Sequence, residues 1–293
     1  MRSPHSLMRS VTHQGPTVHS LQCMEVWGGN QRINNAFSVP GIDAWIFAEP
    51  FEGNLEGGDL HYISMCGAGK ISRFAVADIA GHGAGVGALA LRLRKLMRKH
   101  INTLDQTRFA QALNQEFSKL SKAGAFATVL LTTYFAPTDH LIICNAGHPR
   151  PLWYRARSQS WELLDHAVLQ EPETTVNLPL GVIEPTDYVQ FAVKLDKGDL
   201  VLIYTDALTD ATNLNGQPLG EQGLLALVSE LNVAEPDKIC HMVLESVTAY
   251  RSGRPAEDDQ TLLVLHHNAA DPPRQSLREK VRVMAAMLGV IRN

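Results

Sequence analysis

Four aspartates share one context. Asp59 opens an apolar run from Leu60 to Cys66, and Asp78 closes another from Ile71 to Ala77. Asp206 follows the run Leu200–Thr205, and Asp258, or its neighbour Asp259, precedes the run Thr261–Leu265. A carboxylate at a strand end is fixed at the mouth of a sheet rather than carried on a surface loop. Hard oxygen ligands without His or Cys select Mg2+ or Mn2+ and exclude a structural zinc. If such groups converge, they hold two ions close together. Two ions lower the pKa of a shared water and clamp the oxygens of a phosphoryl group during in-line attack.

The first two aspartates must be positioned by residues 57 to 83, which read as a β-hairpin with a Gly-Ala-Gly-Lys turn between two apolar runs. With Ala68 and Gly69 at its tip, the ladder sets Leu60 opposite Ala77 and Asp59 opposite Asp78. Directly opposed side chains have Cβ atoms roughly 4.5–5.5 Å apart, and like charges there repel. A shared proton or a divalent cation offsets that repulsion. The plainer reading is two solvated carboxylates beside glycine turns, and this pair alone does not separate the two.

The chain of 293 residues fits one large domain with appendages or two small ones. Hydrophobic residues at 45% and charged residues at 19% suit a globular protein with a sizeable core. A formal net charge of −4 carries no field that gathers nucleic acid or an anionic membrane. Cys23, Cys66, Cys144 and Cys240 are widely separated, which predicts reduced thiols in the cytoplasm without a disulfide framework. The N-terminus has no long apolar segment, so the reading has neither signal peptide nor membrane span.

Residues 1 to about 22 are polar and carry His5, His13 and His19, and read as a loosely docked arm. Residues 27 to 42, rich in Gly and Asn, read as an ordered loop, and 1–42 as an arm with its lead-in. A strand follows from Asp43 to Ala48. After the hairpin, a long helix runs to about His100, with Arg92, Arg94, Lys95, Arg98 and Lys99 in its last turns. These are a docking patch or cations favoured by the helix dipole. Asp105 is placed to cap a second helix with Phe109, Leu113, Phe117 and Leu120 on one face. A hairpin joins Thr128–Phe135 to His140–Cys144. Short strands follow near 152–154 and 161–163, then a long loop from 165 to 187. A further hairpin is expected to pair Tyr188–Lys194 with Leu200–Thr205. Helices are expected near 220–231 and 236–250, and a strand over Thr261–His266. The tail, 269–293, reads as an amphipathic helix from about Leu277 to Leu288. Hairpins with inserted helix pairs point to an α+β domain, a four-layer α/β sandwich of two face-to-face antiparallel sheets with helices outside.

Gly57-Gly58-Asp59, Asp78-Ile79-Ala80-Gly81-His82-Gly83, Asn145-Ala146-Gly147-His148, Leu178-Pro179-Leu180-Gly181, Tyr204-Thr205-Asp206 and Asp258-Asp259-Gln260-Thr261 occur in a telling order. It resembles the order in metal-dependent (PPM, type 2C) serine/threonine phosphatases, and most of all their bacterial SpoIIE-type branch. The resemblance runs from about Asp43 to His267. It implies a phosphatase domain over 43–268, two Mn2+ or Mg2+ ions, and hydrolysis of phosphoserine or phosphothreonine on a protein. An anti-sigma factor antagonist is the kind of partner it implies. It further implies that Asp78 bridges both ions and that the Ile79 backbone carbonyl is a ligand. Asp59 then holds one ion largely through water, and Asp206 and Asp258 hold the other. Gly58, Gly81, Gly83, Asn145, His148 and Asp259 shape the site.

Some residues depart from that pattern. Ala207 stands where glycine is usual, Asp210 where glutamate is, and Gln260 where an aliphatic residue is. His82 is placed to protonate the leaving oxygen. It lies four residues after Asp78, however, and the alternative is that Gly81-His82-Gly83 only turns the chain into the helix. Two other readings compete with catalysis. One is a partner-binding module that keeps the fold. The other is a nucleotide site like that of histidine kinases, which needs an Asn-bearing helix upstream of Asp78 where none is read.

Overall fold

The computed structural model describes residues 17–22, 24–66, 69–80, 84–121, 124–165 and 176–271. Strands β1 (Thr17–Ser20), β2 (Val26–Gly29), β3 (Ile33–Val39) and β4 (Ile42–Glu49) come first. The hairpin β5 (Leu60–Cys66) and β6 (Ile71–Ile79) leads to helices α1 (Ala84–Lys99) and α2 (Gln106–Leu120). Next come β7 (Ala127–Phe135), β8 (His140–Ala146), β9 (Leu152–Arg155), β10 (Ser160–Leu163), β11 (Gln190–Lys194) and β12 (Leu200–Tyr204). Helices α3 (Gly220–Ser229) and α4 (Ile239–Tyr250) precede β13 (Gln260–His267).

The strands form two sheets. One runs β1-β3-β4-β13-β12-β9-β10 and the other β11-β8-β7-β6-β5-β2. Among the described residues the pairs are antiparallel except β1 on β3. Alternation explains the stacking. In β4, Ile42, Ala44, Ile46 and Ala48 are buried while the residues between are only partly so. Ile42, Ala44 and Ile46 meet Ile63, Phe74, Val76 and Leu130 of the second sheet in a core between the sheets. A second core packs Leu93, Met97, Phe109, Leu113 and Phe117 of α1 and α2 on the outer face of the six-stranded sheet. A third packs Leu224, Val228, Val243 and Val247 of α3 and α4 on the seven-stranded sheet. The result is the expected four-layer α+β sandwich. Each fully buried Phe or Leu contributes roughly 1.5–3 kcal/mol. Asp105 caps α2, its carboxylate accepting from the Arg108 N–H at 3.1 Å.

The 57–83 hairpin has the expected register, with Leu60 opposite Ala77 and Cys66 opposite Ile71. The expected hairpin of 188–194 with 200–205 does not form. β11 pairs with β8 in one sheet, while β12 lies between β9 and β13 in the other. β12 is buried on both faces, so its continuous apolar run marks a central strand, and the half-exposed alternation of β11 marks an edge. Asp199 fixes the crossing between sheets by accepting from Trp153 Nε1 (3.2 Å), Ala156 N (2.8 Å) and Asp196 N (3.0 Å).

The lead-in read as a loop is instead β2 and β3, and Thr17–Ser20 of the arm adds an edge strand. The glycine pair that suggested a loop has a packing cause, because a Cβ on Gly28 would stand 2.5 Å from the His61 carbonyl oxygen. The C-terminal helix expected over 277–288 lies outside the described residues, as does most of the arm.

Candidate metal centre

The start of β5, the end of β6, the end of β12 and the start of β13 meet at one end of the sandwich. Asp59 immediately precedes β5, and Asp78 sits in β6 opposite Thr128 of β7. Asp206 opens a 3-10 turn directly after β12, and Asp258 and Asp259 stand just ahead of β13. One hydroxyl joins the sheets here. Thr205 Oγ1 donates to Asp59 Oδ2 at 2.8 Å and accepts from the Thr261 N–H at 3.0 Å. Asp59 is only 6% exposed, so this donor takes the place of lost solvent.

The carboxylates raise one another's proton affinity. Burial first, then the charge of Asp78, holds the Asp59 carboxyl well above the ordinary range, against the nearby Thr261 and Thr205 hydroxyls, which pull it down. Burial, then Asp206, Asp258 and Asp259, pushes Asp78 up to about 7. Asp206 is raised by burial, then by Asp210 and Asp258. Buried like charges of this kind call for protons or cations.

Asp258 and Asp259 divide their labour. Asp259 Oδ1 accepts from the Phe51 N–H at 2.6 Å, while Oδ2 accepts from the Gly58 N–H and, at 3.4 Å, from the Asp59 N–H. Its carboxylate is thus occupied in gripping the loop that carries Asp59. Gly57 makes room for it, since a Cβ there would stand 2.5 Å from Asp259 Oδ2. Asp258 is exposed and faces Asp78 and Asp206 through its charge. Gly58 brings its backbone against the Ile79 carbonyl oxygen, 3.1 Å from where a Cβ would stand, and against Val86 of α1 at 2.9 Å.

Asn145 and His148 lie one strand further away. Asn145 Oδ1 accepts from the His148 N–H at 2.7 Å, and its Nδ2 donates to the His148 carbonyl at 2.8 Å. His148 Nδ1 lies 3.0 Å from the hydroxyl of Thr128, the residue opposite Asp78. Burial pulls the His148 pKa down to about 3, against the Tyr204 carbonyl, so the ring is neutral near pH 7 and does not supply a proton. Ala207 has no left-handed φ in its 3-10 turn, so alanine is accommodated there without strain. Gly81, His82 and Gly83 lie outside the described residues. Thr205 and Thr261 stand within two of the quoted aspartate motifs, but the sequence reading gave neither a role of its own.

The donor chemistry suits Mg2+ or Mn2+: carboxylates and a backbone carbonyl, all oxygen, in a partly buried and repulsive cluster. Among the described residues, no three His, Cys, Asp or Glu side chains converge tightly enough to hold one ion by direct bonds alone. That spacing fits ions that keep several waters between themselves and the protein.

The comparisons with known proteins agree with the fold. Residues 69–268 match the family profile described as Stage II sporulation protein E (SpoIIE). The phosphoserine phosphatase RsbU of Bacillus subtilis (strain 168) is 23% identical over 192 residues, which are 65% of this chain and 54% of RsbU. The chain therefore spans about half the length of that relative. The structure of the RsbU and RsbW domains of Rv1364c from Mycobacterium tuberculosis superposes with a TM-score of 0.66 at 26% identity. It covers 86% of this chain and 69% of that one. The catalytic domain of the serine/threonine phosphatase PstP, solved with two manganese ions, shares the fold at a TM-score of 0.52 and 14% identity. It covers 77% of this chain and 97% of that one. The chain belongs to the SpoIIE family of PP2C-type phosphatase domains.

Proposed function

We propose that the protein is a metal-dependent phosphatase acting on phosphoserine or phosphothreonine in a regulatory protein. The observation that carries this reading is the mutually repelling carboxylate set, buried at Asp59 and partly buried at Asp78 and Asp206, drawn from both sheets in a chain of this family. Two Mn2+ or Mg2+ ions, held by Asp59, Asp78, the Ile79 carbonyl, Asp206 and Asp258, would supply Lewis-acid charge for activating water and neutralising phosphoryl oxygens. The protein's own contribution is orientation. Thr205 fixes one oxygen of Asp59, and Asp259 fixes the backbone leading into it. Asp78 is held in register opposite Thr128 of β7. The buried His148 is neutral and does not protonate the leaving oxygen.

The relatives support a substrate class. RsbU is a phosphoserine phosphatase, and the Mycobacterium tuberculosis structure joins an RsbU domain to an RsbW domain. A phosphorylated anti-sigma factor antagonist is the substrate proposed. Among the described residues no helix is long and apolar enough to cross a membrane.

The test is release of phosphate from p-nitrophenyl phosphate and from a phosphoserine protein with Mn2+, Mg2+ or EDTA. The expected result is turnover with metal, strongest with Mn2+, and none in EDTA. A folded protein that binds Mn2+ but never turns over would instead favour a partner-binding module.

A further inference from the structure

Asn30 lies in the turn between β2 and β3, where the chain passes from one sheet to the other. An Asn in a Gly-rich turn ordinarily faces solvent, but this one is 3% exposed. Its backbone carbonyl accepts from the Gly57 N–H at 2.8 Å. Its Nδ2 donates to the Gly57 carbonyl at 2.8 Å and to the Gly87 carbonyl of α1 at 3.2 Å. One residue thus holds both backbone polar groups of Gly57 and ties them to the helix that follows Asp78 and Ile79.

The geometry is specific to one peptide plane. The Gly57 carbonyl and the Gly58 N–H belong to the same planar unit. Asn30 takes the carbonyl edge and Asp259 takes the N–H edge. Two adjacent glycines would otherwise leave that plane free to rotate, because glycine tolerates both signs of φ. A rotated plane would re-aim Asp59, the next residue. The Asn30 side chain packs without spare room against α1, since a Cβ on Gly87 would stand 3.3 Å from its Nδ2.

We propose that Asn30 is a positioning residue of the metal centre: with Asp259 it locks the 57–58 peptide and so fixes where Asp59 presents its carboxylate. This rests on the reading of Asp59 as a metal ligand. Buried groups that orient ligands typically cost 10–100-fold in metal affinity when removed.

The experiment titrates Mn2+ into the full chain by calorimetry. It compares the wild type with Asn30→Ala, Asn30→Asp, Asp59→Asn and the double variant Asn30→Ala/Asp59→Asn. Asn30→Asp keeps the size of the side chain, loses the donor and sets a carboxylate against two carbonyls. Both single Asn30 variants are expected to weaken one ion by about tenfold or more and leave the other unchanged, with a cooperative urea transition retained. The double variant is expected to bind no worse than Asp59→Asn alone, because both changes act through one side chain. Isotherms of both Asn30 variants that superimpose on the wild type would overturn the proposal. So would equal loss of both ions accompanied by loss of the cooperative transition, which would mark a general role in the fold. If the wild type takes up no Mn2+, the metal centre falls, and this inference with it; if only the Asn30 variants behave like the wild type, the inference falls alone.

Discussion

Removing the charge of Asp78 should make the protein inactive and, without metal, more stable. In the folded chain Asp78 is pushed up to about 7, from an ordinary 3.8, by burial and by Asp206, Asp258 and Asp259. A folded-state pKa above the unfolded one means that the folded chain binds the extra proton. Stability is then lost as pH rises from about 4 to about 7. At about 1.36 kcal/mol per pKa unit, the carboxylate costs the metal-free fold up to about 4 kcal/mol above pH 7 and almost nothing below pH 4. Asp78→Asn keeps the shape and removes the charge.

The assay is urea unfolding in EDTA at pH 5 and pH 8, repeated with Mn2+. In EDTA at pH 8 the variant should exceed the wild type by a few kcal/mol, and the gap should shrink at pH 5. With Mn2+ at 100 times its dissociation constant, the wild type gains about 2.7 kcal/mol that the variant largely lacks, and the order narrows or reverses. A variant less stable than the wild type at pH 8 in EDTA would refute the repulsive reading, because it would show Asp78 making net favourable contacts in the absence of cations.

Thr205→Val should cost about 3 kcal/mol, since it strips a buried carboxylate of a donor and leaves the Thr261 N–H unanswered, while Thr205→Ser should recover most of it in the same urea series. The Val variant should also weaken Mn2+ binding in calorimetry. His61 and His148 supply the opposite pH slope. Burial lowers His61 to about 4 and His148 to about 3, so the unfolded chain takes up protons that the folded chain refuses, and stability falls as pH drops below about 6.5. His61→Leu should flatten the decline between pH 6.5 and 4, read from urea midpoints in saturating Mn2+; an unchanged slope would show that His61 is protonated in the fold.

What the sequence disclosed was local or periodic. The hairpin register was legible because two apolar runs flank a glycine-rich turn, so the opposition of Leu60 and Ala77, the residues next to Asp59 and Asp78, followed from the sequence. The layer order was legible from hairpins interrupted by helix pairs. Misreading began where adjacency in sequence was taken for adjacency in space. Gln190–Lys194 and Leu200–Tyr204 look like a hairpin because a polar turn separates two apolar runs, yet they lie in different sheets. Only the flanking β9 and β13 reveal β12 as a central strand. Asn30 carried no signal, because burial of its amide depends on two glycine carbonyls far along the chain. The separate roles of Asp258 and Asp259 rest likewise on backbone N–H groups around Phe51 and Gly58.

These long-range contacts explain why the centre should be linked to the whole fold. Its carboxylates come from both sheets, and polar bonds hold the sheets together at each end. At the carboxylate end, Thr205 reaches Asp59 and Asp259 grips Gly58. At the far end, the His267 ring nitrogen lies 3.0 Å from the Tyr134 hydroxyl and 3.1 Å from Asp139. Between them lies the apolar core of Ile46, Ile63, Phe74, Val76 and Leu263. A centre on a single loop can form while the rest of a protein is loose. One spread over two sheets assembles only when the sandwich is closed, so its cation affinity is part of the free energy of closing it. A cavity in the inter-sheet core, such as Val76→Ala, should therefore weaken Mn2+ binding from a distance in calorimetry, whereas one of similar size under α4, such as Val243→Ala, should lower stability with a smaller effect on the ions.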